Sequence, residues 1–254
     1  MAENIIIAHR GESYNAPENT LTAIIMAWER NIQAVEIDIQ LTKDNQIVVI
    51  HDKDTLRISG KKKIIKKSLL KELKLLNAGF HKEGIWDHES IPTLSEVLNT
   101  IPDDGKLIIE IKIDDSILPI LAHELSQANL SPTQIELIAF NAITLSKAKQ
   151  LMPAYKMLWL LELDYWWPWW LVWINTKRII NKVKMLKLDG VDVWAGKLLN
   201  KSFISVFKEA GLYVYAWTVN EPEKARSLIE NGVDGITTDK AGWMIEQLRI
   251  TDYK

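Results

Sequence analysis

The stretch "LYVYAWTVNEPEKARSLIENGVDGITT", residues 212–238, holds one strand–helix–strand unit. Leu212–Val219 is an apolar and aromatic run that reads as a strand. "EPEKARSLIENG" follows with helical signals: Asn220 as the cap, Pro222 in the first turn, Glu223 at the capping-box position and Gly232 at the end. Gly235–Thr238 then returns to strand. Strands alternating with helices in this way are the signature of a parallel sheet with crossover connections.

The same alternation runs back through the chain. Ile5–His9, Ala34–Ile39, Lys106–Lys112, Ile135–Phe140, Lys156–Leu161 and Val191–Ala195 are the other strands, which makes eight. Helices are predicted over 20–30, 94–100, 115–129, 142–150, 174–187, 201–210, 221–231 and 240–248. Eight β/α units in 254 residues, with no Pro/Gly/Ser-rich linker, predict an α/β fold built as one (β/α)8 TIM barrel over residues 1–254. A doubly wound open sheet is the alternative.

One apolar run breaks the pattern. "IVVIHD" at 47–52 follows Ile39 after too few residues for a parallel crossover, and "TKDNQ" between them is turn chemistry. The run is therefore the return arm of an antiparallel hairpin. A turn centred on Asp44-Asn45 places Thr42 opposite Ile47 and Asp38 opposite His51. A small insertion at about 53–90 follows, carrying the basic stretch "KKKIIKKSLLKELK".

Composition limits the function classes. The chain is 47% hydrophobic and 25% charged, as in ordinary globular proteins, and its net charge of −2 predicts no nucleic-acid partner. Without cysteine there is no disulfide and no thiolate nucleophile. A strand beginning near Asn4 leaves no room for a signal peptide, which predicts a cytoplasmic protein unless a signal has been removed. The apolar run at 157–174 is broken by Glu162, Asp164 and Pro168 and is too short to span a bilayer.

Charged residues gather at the ends of the first strands. In "VEIDIQ" Glu36 and Asp38 are two apart and point to one side of a strand, and in "IIEIK" Glu110 and Lys112 do the same. Carboxylates set among Ile and Val on buried strands need a cation or a partner. His9 and Arg10 leave the first strand at the same end, and the hairpin returns His51 beside the second. Barrel enzymes keep their active sites at the C-terminal ends of their strands.

These residues lie in longer motifs. "IAHRG…PENT", "EIDIQLTKDNQIVVIHD", "IPTLSEVL", "LIIEIK", "YAWTVN" and "NGVDGITTDK" resemble, in order and over nearly the whole chain, the signatures of the glycerophosphodiester phosphodiesterase family of the phosphatidylinositol phospholipase C-like barrels. The resemblance implies a barrel hydrolase in which acidic residues hold a divalent cation and two histidines are essential. By motif position, His9 and His51 are the expected catalytic pair, and Glu36, Asp38 and Glu110 the expected metal ligands. Arg10 and Lys112 are expected to bind substrate, and Trp217, at the end of its strand, to wall the glycerol. An all-carboxylate site favours Mg2+ or Ca2+ over zinc. The expected reaction converts a small-molecule glycerophosphodiester to glycerol 3-phosphate and an alcohol. A lysophospholipase D-like reaction is the alternative; a barrel that only binds phosphate or lipid would be expected to have lost some of these residues, and none is lost.

"DYWWPWWLVWINTKRIINKVKMLK" departs from a generic family member. Trp166, Trp167, Trp169, Trp170 and Trp173 precede a basic, apolar-striped helix, a combination that suggests an interfacial surface near the active-site mouth. It raises the expectation of a peripheral membrane or lysolipid contact through Trp166–Trp173, against a lid or a buried aromatic cluster.

Overall fold

The computed structural model describes residues 5–82, 85–163 and 169–251. Nine strands form its sheet: β1 (Ile5–His9), β2 (Ala34–Leu41), β3 (Ile47–Val49), β4 (Lys106–Ile111), β5 (Ile135–Ala139), β6 (Lys156–Leu161), β7 (Gly190–Trp194), β8 (Tyr213–Trp217) and β9 (Gly235–Thr238). All except β3 pair in parallel, and β1 bonds both β9 and β2, so the eight parallel strands close into a TIM barrel. Helices between the strands cover the outside.

Side chains alternate along each strand between the barrel interior and the helix layer. Inside are Ile7, Ala34, Ile108, Ile138, Leu158, Leu160 and Tyr215. Outward residues such as Val35, Ile37, Leu107, Ile109, Val191 and Val214 pack with helical Ile24, Leu121, Leu145, Val183 and Phe207 into the larger core. Near the N-terminal ends of the strands, Glu136 is buried and takes ion pairs from Lys106 at 3.1 Å and Lys156 at 2.9 Å. The Tyr215 hydroxyl donates to the same Glu136 oxygen at 3.2 Å. This packed floor, with Glu136 ion-paired through Oε1, leaves the opposite end of the barrel open for chemistry.

The hairpin forms, with its register moved by one residue from expectation. Leu41 faces Ile47, Ile39 faces Val49, and the Ile50 N–H donates to the Asp38 carbonyl at 2.9 Å. Asp38 is therefore opposite Ile50 and not His51. The cause lies in Asn45, which adopts φ 57° and makes the turn a three-residue loop closed by the Thr42 N–H on the Gln46 carbonyl. A one-residue slip would send His51 to the wrong face if the strand continued, but β3 stops at Val49. Gln40 Nε2 then lies 2.6–3.2 Å from the carbonyl oxygens of Ile50, His51 and Asp52, and this clamp bends the chain so that His51 meets the barrel mouth.

The insertion after the hairpin has its own small core, in which Ile58, Ile65, Leu73, Leu76 and Ala78 pack with Val48 and Ile50. The helix after β8 runs Pro222–Glu230 with Glu221 at its cap. Asn220 does not cap it. Its side chain is committed to the next strand end, donating to Asp239 at 2.8 Å and accepting from Thr238 at 2.9 Å. The helix after β6 spans Trp169–Met185, beginning earlier than the expected 174. The surface expected from Trp166–Trp173 lies outside what is described: residues 164–168 are not, and over 169–175 only the backbone is. No helix among the described residues is long and apolar enough to cross a membrane.

Candidate active site

His9 is the last residue of β1, and the chain turns sharply after it. Arg10 has φ 58° and Gly11 φ 80°, so both lie in the left-handed region. Gly11 is the residue the turn requires, because a Cβ there would stand 2.6 Å from the Ala23 carbonyl carbon. The tight turn aims the Arg10 N–H at Glu36 Oε2 (3.0 Å) and its side chain at Asp38, with Nε 3.1 Å from Oδ2.

Two strands supply the carboxylates. Glu36 and Asp38 stand on one face of β2, Glu110 is opposite Asp38 on β4, and one oxygen from each lies within 4.8 Å of the others. Lys112 completes the group, 2.7 Å from Glu110 and 3.4 Å from Asp38. Asn19 holds Asp38 from behind, donating to its carboxylate at 2.9 Å and accepting its N–H at 3.1 Å. Burial pushes the Glu36 carboxyl well above its ordinary range, and the neighbouring Asp38 and Glu110 push it further. Glu110 rises to about 7, through burial and then Asp38, against the pull of Lys112. At Asp38 the same burial is outweighed by Arg10 and Lys112, which hold it below the carboxylate norm.

Each histidine has its own carboxylate. His9 Nδ1 is 2.6 Å from Asp239 Oδ1, leaving Nε2 facing Glu36 at 3.9 Å. His51 Nδ1 is 2.8 Å from Asp52 Oδ1. Asp52 in turn accepts from Arg57 Nε at 2.7 Å, Arg57 pairs with both oxygens of Glu18, and Glu18 accepts from Arg10 at 2.9 Å. Although burial raises the Glu18 carboxyl, its two arginines outweigh it and bring it down to about 2. Burial lowers the His51 imidazole below its ordinary value, partly offset by Asp38.

A cavity of about 270 Å³ opens at this end of the barrel, lined by His9, Arg10, Glu36, His51, Glu110, Lys112 and Trp217 among others. Asp38 lies directly beneath, so all eight residues singled out from the sequence gather at one mouth. Trp217 meets Phe140 edge to face at 5.6 Å between ring centres, and its Nε1 donates to the Asp192 carbonyl at 3.2 Å. Sequence reasoning passed over Asp239, Asp52, Glu18, Asn19 and Arg57, although "TTDK", "IHD" and "PENT" contain all but the last. It also passed over Asp192, a carboxylate inside the apolar strand "GVDVW".

The donor set suits a hard divalent cation. Every ligand atom on offer is a carboxylate oxygen, and Glu36 Oε1 and Asp38 Oδ1 are buried with no hydrogen-bond partner. Bound cation would satisfy both.

Comparison with known proteins settles the family. The sequence profile of the glycerophosphoryl diester phosphodiesterase family matches residues 9–242, from His9 past Asp239. The chain belongs to that family. It is accordingly a phosphoric diester hydrolase. A glycerophosphodiester phosphodiesterase of Caldanaerobacter subterraneus is 31% identical over 252 residues, covering 97% of this chain and 98% of the relative. A phosphodiesterase of Oleispira antarctica, solved in complex with the product sn-glycerol-3-phosphate, superposes with a TM-score of 0.82 at 28% identity over 96% of each chain. A glycerophosphodiester phosphodiesterase of Parabacteroides distasonis gives a TM-score of 0.78 at 25% identity over 98% of each.

Proposed function

We propose that this phosphodiesterase hydrolyses small, deacylated glycerophosphodiesters to glycerol 3-phosphate and an alcohol, with one divalent cation, Mg2+ or Ca2+, held by Glu36, Asp38 and Glu110. The observation that carries the reading is the meeting of two carboxylate-backed histidines with this acidic cluster around one small cavity. When bound, the cation supplies electrophilic stabilisation of a phosphate oxygen. Arg10 and Lys112, already beside the carboxylates, offset the negative charge that grows on phosphorus-bound oxygens. With Nδ1–H given to Asp239, His9 presents Nε2 as the base that takes a proton from the attacking water, or from the glycerol 2-hydroxyl to give a cyclic phosphate that water then opens. His51, oriented in the same way by Asp52, presents Nε2 as the acid for the departing alcohol.

The deciding assay compares glycerophosphocholine with lysophosphatidylcholine, with and without a chelator, in Mg2+ and in Ca2+. Rapid release of choline from the deacylated substrate, lost on chelation, is the expected result. Full activity after exhaustive chelation, or turnover of the lysolipid alone, would reject it. A lipid contact through the tryptophan run is tested separately: replacing Trp169 and Trp170 by Ala then lowers liposome binding or lysolipid turnover but spares small diesters.

A further inference from the structure

The cavity has two unlike halves. His9, Arg10, Glu36, His51, Glu110 and Lys112, on the β1, β2 and β4 side, carry the charges that suit a phosphodiester. The β5–β9 side is walled by Ile138, Phe140, Leu160 and Trp217 with Thr218 and Thr237, and one carboxyl stands among them, that of Asp192. Asp192 occupies the middle of β7, is 2% exposed, and faces inward between Gly190 and Trp194. Its backbone carbonyl is taken by Trp217, but its side-chain Oδ1 is buried with no hydrogen-bond partner. No lysine or arginine forms an ion pair with it among the described residues. An orphan carboxyl oxygen is left with its desolvation cost unrepaid, and a ligand that meets it recovers that cost.

We propose that Asp192 binds the glycerol end of the substrate, its carboxyl meeting the vicinal hydroxyls within the aromatic and aliphatic pocket of Phe140, Trp217, Ile138 and Leu160. The assignment rests on the functional reading above and adds to it the residue that reads the glycerol. Burial raises the Asp192 carboxyl well above its ordinary range, and Glu110 and Glu136 raise it further. A carboxyl in either state can accept from adjacent hydroxyls, and in its protonated form it also donates one hydrogen bond. A site whose buried polar group is built for a hydroxyl discriminates strongly against a ligand that lacks one, because the group is then left unpaired.

The test measures binding to the cation-loaded enzyme of sn-glycerol 3-phosphate and of propyl phosphate, which shares the phosphate but has no hydroxyls. Titration calorimetry should show the wild-type enzyme preferring glycerol 3-phosphate by about 10- to 100-fold. Asp192→Leu, of similar shape, should lose most of that preference, whereas Asp192→Asn, neutral with a donor and an acceptor, should keep most of it. If the leucine variant does not fold, Asp192→Ala reads the same ratio. A leucine or alanine variant that retains the wild-type preference overturns the assignment, as does a wild-type enzyme that binds the two ligands equally. Glycerophosphocholine hydrolysis measured on the same wild-type preparation separates that failure from failure of the functional reading.

Discussion

Protonation of Glu110 should control cation binding. Its carboxyl sits at about 7, raised by burial and by Asp38, and it already shares an oxygen with Lys112 at 2.7 Å. A cation needs the carboxylate, so binding below neutrality must release a proton. With a single group at about 7, the apparent affinity should fall roughly tenfold between pH 8 and pH 6 and roughly 100-fold between pH 8 and pH 5, with Glu36 steepening the loss. Titration calorimetry of Mg2+ or Ca2+ at pH 6.5, in two buffers of different ionisation enthalpy, counts the protons directly; about 0.8 per ion is expected from Glu110 alone. The metal-free fold should show the complementary effect. Because the folded value lies above the ordinary 4.5, Glu110 contributes stability that is fully present below about 4.5 and lost as pH rises through about 7. The melting temperature of chelated protein should therefore carry a component that falls over that interval, and saturating cation should abolish it. Glu110→Gln should weaken ion binding and flatten both profiles. An affinity constant from pH 8 to pH 5.5, with no proton released, would refute the reasoning.

Other consequences follow from the same geometry. His9→Ala and His51→Ala should each lower kcat by on the order of 10²–10⁴-fold while the proteins fold normally, with His123→Ala as an unaffected control; near-normal turnover of either variant removes that histidine from the mechanism. Asp239→Asn keeps the shape of the His9 partner but not its charge, and should cost about 10²-fold or more in kcat. Unchanged kcat in that variant would mean His9 needs no carboxylate. Gly11→Ala puts a Cβ against the Ala23 backbone at a left-handed φ, and should destabilise the fold by at least ~2 kcal/mol, a drop of about 4–8 °C by calorimetry. A stable, fully active Gly11→Ala enzyme would show that the turn after β1 can relax.

How much of this was legible depended on whether the determinant was local. All eight parallel strands were placed by their apolar runs to within two residues, because strand identity is written in short-range pattern. The hairpin register was missed by one, since Asn45's left-handed backbone, and not the strand pattern, set the loop length. Asn220 looked like a helix cap from its neighbours and was instead recruited by Asp239, a partner supplied by the next strand end. The histidines' carboxylates were hidden for different reasons. Asp239 is 230 residues from His9 in the chain, so only barrel closure between β1 and β9 brings them together. Asp52 is adjacent to His51, and its role depends on Arg57 and Glu18, which the insertion and the first loop deliver separately.

Asp192 is the instructive case, because a rule already applied to its neighbours would have found it. Glu36 and Asp38 stood out as charges among β-branched residues on an inward face, and "GVDVW" repeats that pattern on β7. What the sequence withholds is whether such a carboxyl has company. Glu136, equally buried in β5, also has one oxygen, Oε2, without a hydrogen-bond partner, but its Oε1 is met by two lysines and a tyrosine, and so it serves the barrel floor. Asp192 is met by none of these and faces the cavity. Within one barrel, then, the same residue class in the same strand context divides into a structural and a ligand-facing carboxyl according to its cross-barrel partners. That difference gives a direct comparison: Glu136→Gln should act on stability through its stranded lysines, whereas Asp192→Leu should act on the choice between glyceryl and propyl phosphate. Thermal unfolding of the two variants beside ligand titration tells them apart, and a large loss of stability in Asp192→Leu with ligand preference intact would place both carboxyls in the scaffold.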